Sequence, residues 1–157
     1  MSDQTVTVSD LRDARHFFDD VADRIWRAWW EPHGFPLSHI TGLLEDSLAE
    51  DAEPLCLVAH DGDRFIGTAS VIASDLEERP ALTPWVAAVW VDPPFRGGGI
   101  GGKIVLKAAH AALDGGADAV HLCALPGKRA FYERLGWRLD EMDVGEDRLD
   151  VFSMRRP

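Results

Sequence analysis

Cysteine is scarce in this chain of 157 residues: Cys56 and Cys123 are the only two, each inside an apolar, strand-like run, with no CxxC and no neighbouring histidine pair. That usage excludes a disulfide framework and a zinc site, and leaves two buried, reduced thiols as the expectation. No window holds the roughly 18 consecutive apolar residues of a membrane span, and the first thirty residues lack the basic start and apolar run of a secretory leader. A soluble, cytoplasmic protein is therefore expected. Basic residues are few where acidic ones are many. Residues 1–80 carry 17 acidic and 6 basic side chains, residues 81–157 carry 10 of each, so the first half holds the whole surplus behind the formal charge of −11. Such a chain repels nucleic acid and anionic lipid, whose binding depends on neutralising phosphates with lysine and arginine. A cationic small molecule or amine suits the acidic half, and simple solubility explains the acidity equally well.

What is present reads as one α/β domain spanning residues 1–157. TVTVSD (5–10) is a short strand whose Ser9-Asp10 can cap a helix. Leu11, Phe17, Phe18, Val21, Ile25 and Trp29 recur at near-helical spacing as far as Pro32. After the break EPHGFP, a second helix is expected over 38–48. Leu55–His60 and Phe65–Ala73 flank the turn chemistry DGDR and predict a hairpin. A polar, proline-bounded loop (74–84) leads into the strand WVAAVWV (85–91). A helix follows from about Gly99 to Leu113, then an almost wholly apolar strand (119–125), a short helix KRAFYERL ending at Gly136, and a hairpin of 137–142 with 148–154. The order predicts a mixed central β-sheet flanked by helices.

RGGGIGGK (96–103) satisfies three phosphate-binding patterns at once. The nucleoside triphosphate loop needs Ser or Thr after GxxxxGK to hold magnesium, and Ile104 stands there. The dinucleotide pattern GxGxxG needs an acid at the end of the next strand to hold a ribose, and that strand ends CALPG. The third pattern, R-x-x-G-x-G, is met by Arg96, Gly99 and Gly101, and the preceding strand ends V-x-P at Val91-Asp92-Pro93. Glycines let the backbone approach a pyrophosphate, consecutive N–H groups from Gly97 to Gly102 point at its oxygens, and the helix adds its positive end. No metal is needed.

On this block, VWVDPPFRGGGIGGK, the chain resembles the GCN5-related N-acetyltransferase (GNAT) family. LPGKRAFYERLGW (125–137) is similar to the family's later segment, where a helix bearing tyrosine precedes Gly and an aromatic residue; Tyr132 is the single tyrosine. The resemblance implies the acyl-CoA N-acyltransferase fold and acetyl-CoA as acetyl donor. It implies a cofactor loop of Arg96, Gly97, Gly98, Gly99, Ile100, Gly101 and Gly102, and a splayed gap between strands 85–91 and 119–125 for the pantetheine arm. Backbone groups of Val89, Trp90 and Val91 would pair with that arm and aim an N–H at the thioester oxygen. Tyr132 would be the acid that protonates the leaving thiolate; a packing tyrosine that only hydrogen-bonds the sulfur is the alternative. The family often carries asparagine seven residues before this tyrosine, and Leu125 stands there instead. The implied activity is acetyl transfer to a primary amine by direct attack in a ternary complex. A small-molecule acceptor leads; a protein N-terminus, a lysine side chain, a non-catalytic acyl-CoA sensor and a homodimer remain open.

Other residues carry less. The base that must take a proton from the amine has five candidates: Glu31, His33, Asp75, Glu77 and Glu78. Trp26, Trp29 and Trp30 fall near one helical face, where core packing is a simpler explanation than a cation cage. His60 and His121 read as satisfied core residues, and no metal site is expected. Lys128 and Arg129 either meet CoA phosphates or are solvated. Cys123 is a poor covalent relay, because burial raises a thiol's pKa.

Overall fold

The computed structural model describes residues 5–50 and 54–156. The first strand, β1 (Thr7–Asp10), ends where Asp10 accepts a hydrogen bond from the Arg12 N–H at 2.9 Å and so caps a 3-10 turn over Leu11–Asp13. The continuous helix expected from Leu11 to Pro32 does not form. Ala14 leaves helical geometry at φ −137°, ψ 50°, and a second 3-10 turn (Arg15–Phe17) intervenes before α1 (Phe18–Ile25). The chain continues through a π-helical turn, Trp26–Trp30, and a 3-10 turn, Glu31–His33, which Gly34 ends at φ 81°. Leu11, Phe17, Val21 and Ile25 are all buried despite the breaks. Short turns keep apolar residues on one side much as a helix does, so periodicity alone could not reveal the interruptions.

After α2 (Leu37–Asp46) come β2 (Leu55–Asp61), β3 (Arg64–Ile72), β4 (Trp85–Val91), α3 (Ile100–Asp114), β5 (Ala119–Ala124), α4 (Arg129–Arg134), β6 (Arg138–Val144) and β7 (Leu149–Arg155). The last hairpin differs from expectation by one or two residues at each end, within the ordinary uncertainty of strand boundaries. Among the described residues, seven strands form one sheet in the order β1-β2-β3-β4-β5-β7-β6, antiparallel at every contact except the parallel β4/β5 pair.

Helices cover both faces. Val105, Ala108, Ala109 and Ala112 of α3 are small enough to bring the helix close over Ile66, Val86, Val120 and Phe152. Against the opposite face, Phe17, Val21, Ile25, Ile40 and Leu44 pack on Val58 and Phe65. A third cluster, Leu76, Trp85, Val144 and Val151, lies where the β3–β4 loop folds back over the sheet. Continuous apolar strands such as β4 follow from this double coverage. No helix among the described residues is long and apolar enough to cross a membrane.

Candidate active site

The parallel strands β4 and β5 pair at one point, Trp85 with His121, reinforced by the His121 N–H on the Pro84 carbonyl at 2.9 Å. Past that bridge they share no register, and the sheet opens into a wedge. Two local causes hold it open. The β3/β4 register slips between Thr68 and Ser70, where Ala88 takes the left-handed value φ 53°; such a bulge bends the strand and steepens its twist. On the other side, β5 is drawn away by continuous antiparallel pairing with β7, from Ala119↔Arg155 to Ala124↔Asp150. Nothing in the plain sequence AAV announces a bulge, since alanine carries no left-handed preference.

Of the three β4 residues expected to present backbone groups, each has a different setting. Asp92 donates its N–H to the Ile66 carbonyl at 2.8 Å, so strand alternation turns the Trp90 backbone toward Thr68 and the Val91 backbone into the wedge. Val89 adjoins the bulge. The Val91 carbonyl accepts from Arg96 Nε at 2.7 Å, and the Arg96 guanidinium lies 4.6 Å from the centre of the Trp90 ring.

The glycine loop lies beyond the C-terminal end of β4. Gly97 and Gly99 take φ 88° and 84°, which side chains resist, and a Cβ at Gly97, Gly98 or Gly99 would meet nothing within 4 Å. Gly99 precedes α3 with no side-chain cap, so the first-turn N–H groups of the helix are offered to an external acceptor. Ile100 is buried and anchors the turn. Gly101 and Gly102 serve packing: a Cβ would lie 3.6 Å from Val91 Cγ2 at the first and 2.9 Å from Leu135 Cδ2 at the second. An open cradle of N–H groups at a helix start fits a pyrophosphate. Lys103 does not join it, because its Nζ donates to the Val6 carbonyl at 3.1 Å, away from the position a triphosphate loop requires.

Across the wedge, Tyr132 packs in the α3-side cluster, 5.6 Å between ring centres from Phe152. Burial, helped by the negative charge that Cys123 would carry as a thiolate, raises its phenol above the ordinary value and keeps the hydroxyl protonated. The Cys123 thiol donates to Asp75 Oδ2 at 3.5 Å. Burial and the Asp75 carboxylate push that thiol up to about 12, so the expectation of an unreactive Cys123 follows from its surroundings. Asp75 is exposed as a residue, yet the protein crowded around its carboxyl pushes it up to about 6 against the opposing pull of the thiol.

The remaining candidates separate from this cluster. Glu31 and His33 are exposed at the corner between α1 and α2, and Glu77 is exposed in its loop. Glu78 leans toward the last hairpin, where its Oε1 would lie 2.8 Å from a Cβ placed on Gly145. The tryptophans do not form a cage. Trp26 donates to the Phe35 carbonyl at 2.7 Å, Trp30 sets its edge on Phe35, and Trp29 meets Trp90 edge-on. His60 is satisfied by Ser9 and the Gly62 carbonyl. His121 departs from expectation: it is buried, but its Nδ1 has no hydrogen-bond partner among the described residues. Arg129 is committed to the fully buried Asp150 by two bonds of 2.9 and 2.8 Å, which takes it out of the group expected near CoA phosphates. Among the described residues no group of three or more His, Cys, Asp and Glu could hold a metal ion. A cavity of about 500 Å³ lies on the α1 side, lined by Arg24, Trp90 and Asp92, away from Tyr132.

No curated protein matches this chain in sequence. Solved structures match it in fold. An aminoglycoside 6'-N-acetyltransferase complexed with coenzyme A superposes with a TM-score of 0.72 at 16% identity, over 96% of this chain and 99% of that one. The spermidine/spermine N-acetyltransferase SpeG from Vibrio cholerae gives 0.67 at 13% identity, over 96% and 95%. The yncA protein of Salmonella typhimurium, solved with its cofactor acetyl-CoA, gives 0.67 at 17% identity, over 98% and 94%. Independently of these folds, the family model for the acetyltransferase (GNAT) family matches residues 16–137, most of the chain and the whole span from α1 through the wedge to Trp137, and the chain belongs to that family.

Proposed function

We propose that the chain transfers the acetyl group of acetyl-CoA to a primary amine of a small, cationic molecule, by direct attack in a ternary complex. The observation that carries this reading is the wedge itself, open toward a glycine cradle at one end and closed by the Trp85–His121 bridge at the other. Acetyl-CoA supplies the activated acetyl group as a thioester. The cradle from Arg96 to Gly102 holds the pyrophosphate through backbone N–H groups and the start of α3. The inward-facing Val91 backbone, and Val89 at the bulge, pair with the pantetheine arm once Arg96 releases the Val91 carbonyl. A backbone N–H from this strand stabilises charge that develops on the thioester oxygen, and Tyr132 donates its proton to the departing sulfur. Leu125, 60% exposed, offers no hydrogen bond where the family often has asparagine, so backbone groups carry more of the recognition.

A cationic acceptor is supported by the acids Asp75, Glu77 and Glu78 in the β3–β4 loop, and by the polyamine and aminoglycoside substrates named for two of the structures that share the fold. Calorimetric titration with acetyl-CoA, with NADH and ATP–magnesium in parallel, tests the donor. Release of free CoA with a panel that includes spermidine and an aminoglycoside tests the transfer. Selective acetyl-CoA binding with amine-dependent CoA release is expected. Binding of NADH or ATP instead would overturn the reading, and acetyl-CoA affinity without turnover of any amine would point to a sensor.

A further inference from the structure

The wedge has direction. Its mouth faces the glycine cradle after Val91, and its apex is the Trp85–His121 bridge. The seven residues of β4 span roughly 20 Å at about 3.3 Å each. A donor whose pyrophosphate sits at the mouth therefore carries its thioester toward the apex.

Cys123 lies two residues past the bridge on β5, half-buried, in contact with the Leu76–Trp85–Val151 cluster on the face away from α3. Its thiol donates to Asp75 Oδ2 at 3.5 Å, which draws that carboxylate from the β3–β4 loop over the apex. Tyr132 approaches the same strand from the α3 side. The two faces of β5 thus bring a carboxylate and a phenol to one place. Of the five acids and histidines singled out in the sequence, Asp75 is the one bonded to a strand that borders the wedge.

We propose that Asp75 is the carboxylate that takes the acceptor's proton at the apex of the β4/β5 wedge, held in place by the Cys123 thiol. This inference rests on the acetyl-transfer reading above. The acceptor ammonium gives one proton to Asp75, which passes it to solvent. The freed nitrogen lone pair bonds to the thioester carbonyl carbon, the carbon–sulfur bond breaks with its electron pair going to sulfur, and the Tyr132 hydroxyl protonates that sulfur. The nitrogen then loses a second proton, which restores the phenol through solvent, so one proton is released per amide formed. A carboxyl near 6 is a stronger base than a solvated aspartate and is still mostly ionised at pH 7. The titratable groups around it are Cys123 on β5, Glu78 in its own loop acting on that thiol, and Tyr132 on α4 beyond it.

Asp75→Asn and Asp75→Glu test the assignment, with kcat/KM for spermidine or an aminoglycoside followed from pH 5 to 9. General bases contribute about 100-fold or more. The Asn variant is expected to lose at least that much and to lose the acidic limb of the profile near pH 6, while the Glu variant recovers part of the rate and acetyl-CoA affinity stays within about twofold. A readout independent of turnover is iodoacetamide alkylation of Cys123, which should quicken at pH 8 to 9 in the Asn variant because the carboxylate that disfavours the thiolate is gone. An Asn variant with kcat/KM within threefold of the parent and an unshifted acidic limb would overturn the proposal, as would unchanged alkylation of Cys123. Failure of the parent protein to bind acetyl-CoA in the calorimeter would instead overturn the acetyl-transfer reading, and this inference with it.

Discussion

Tyr132 illustrates how one side chain acquires a role from its packing. A solvated phenol is already protonated at neutral pH, and burial beside Cys123 raises its pKa further, so it enters the reaction with its proton in place. Tyr132→Phe removes the hydroxyl and leaves the ring against Phe152. It should lower kcat by about 100-fold while acetyl-CoA affinity stays within a few-fold; steady-state kinetics and calorimetry on the same preparation check this, and unchanged turnover would assign the ring to packing alone. Cys123 gives the opposite expectation. With its thiol pushed up to about 12 it does not act as an acyl relay, so Cys123→Ser, which keeps a donor to Asp75, should retain turnover within a few-fold. Loss of nearly all activity would indicate a covalent acetyl-cysteine. At Gly99, φ 84° and the open cradle combine: Gly99→Val strains the turn and fills the space offered to phosphate, so it should abolish acetyl-CoA binding with the fold retained by circular dichroism.

Among the elements, β4 decides the geometry of the site, and its position depends on a residue outside it. Gly67 in β3 faces β4 so closely that a Cβ would sit 2.6 Å from the Trp90 carbonyl oxygen and 3.1 Å from Ile104 Cδ1. The first neighbour is backbone and cannot swing aside. Gly67→Ala should push β4 outward, cost on the order of 1–3 kcal/mol in chemical denaturation, and weaken acetyl-CoA binding in the same variant. A stable variant with unchanged affinity would show that β3 and β4 separate without altering the wedge. The same strand marks the limit of what the sequence discloses. WVAAVWV and RGGGIGGK placed a strand, a turn and a helix correctly, because apolar runs and glycines act locally. The bulge at Ala88, the breaks before α1 and the contact of Asp75 with Cys123 were hidden, because each depends on which strand lies alongside. Arg129 is the reverse case: it reads as a surface cation on a short helix until Asp150, 21 residues further along the chain, is seen buried beside it.

For the molecule as a whole, the Asp75 carboxyl should leave a mark on stability as well as on rate. Its folded-state pKa of about 6 lies above the 3.8 of an unstructured aspartate, so the unfolded chain ionises it more readily than the folded one. The sign follows from linkage: the folded state is penalised above pH 6, and the penalty fades as pH falls from 6 toward 3, where both states are mostly protonated. Most aspartates act oppositely, as Asp10 does: burial works to raise its pKa, but its bonds to Arg12 and the charge of that guanidinium together outweigh this, lower the pKa and add stability that disappears in acid. Asp75→Asn removes the charge at every pH. It should therefore raise Tm at pH 8, by a few degrees at most because Asp75 is exposed to solvent screening, and leave Tm nearly unchanged at pH 3. Differential scanning fluorimetry of parent and variant across that range tests the sign. A variant that gains stability at pH 8 while it loses turnover would show a carboxylate kept against the interest of the fold, as expected where a site trades stability for reactivity. Equal melting temperatures at pH 8 would mean that water reaches the carboxyl freely, and a solvated aspartate at the apex would be too weak a base for the step assigned to it.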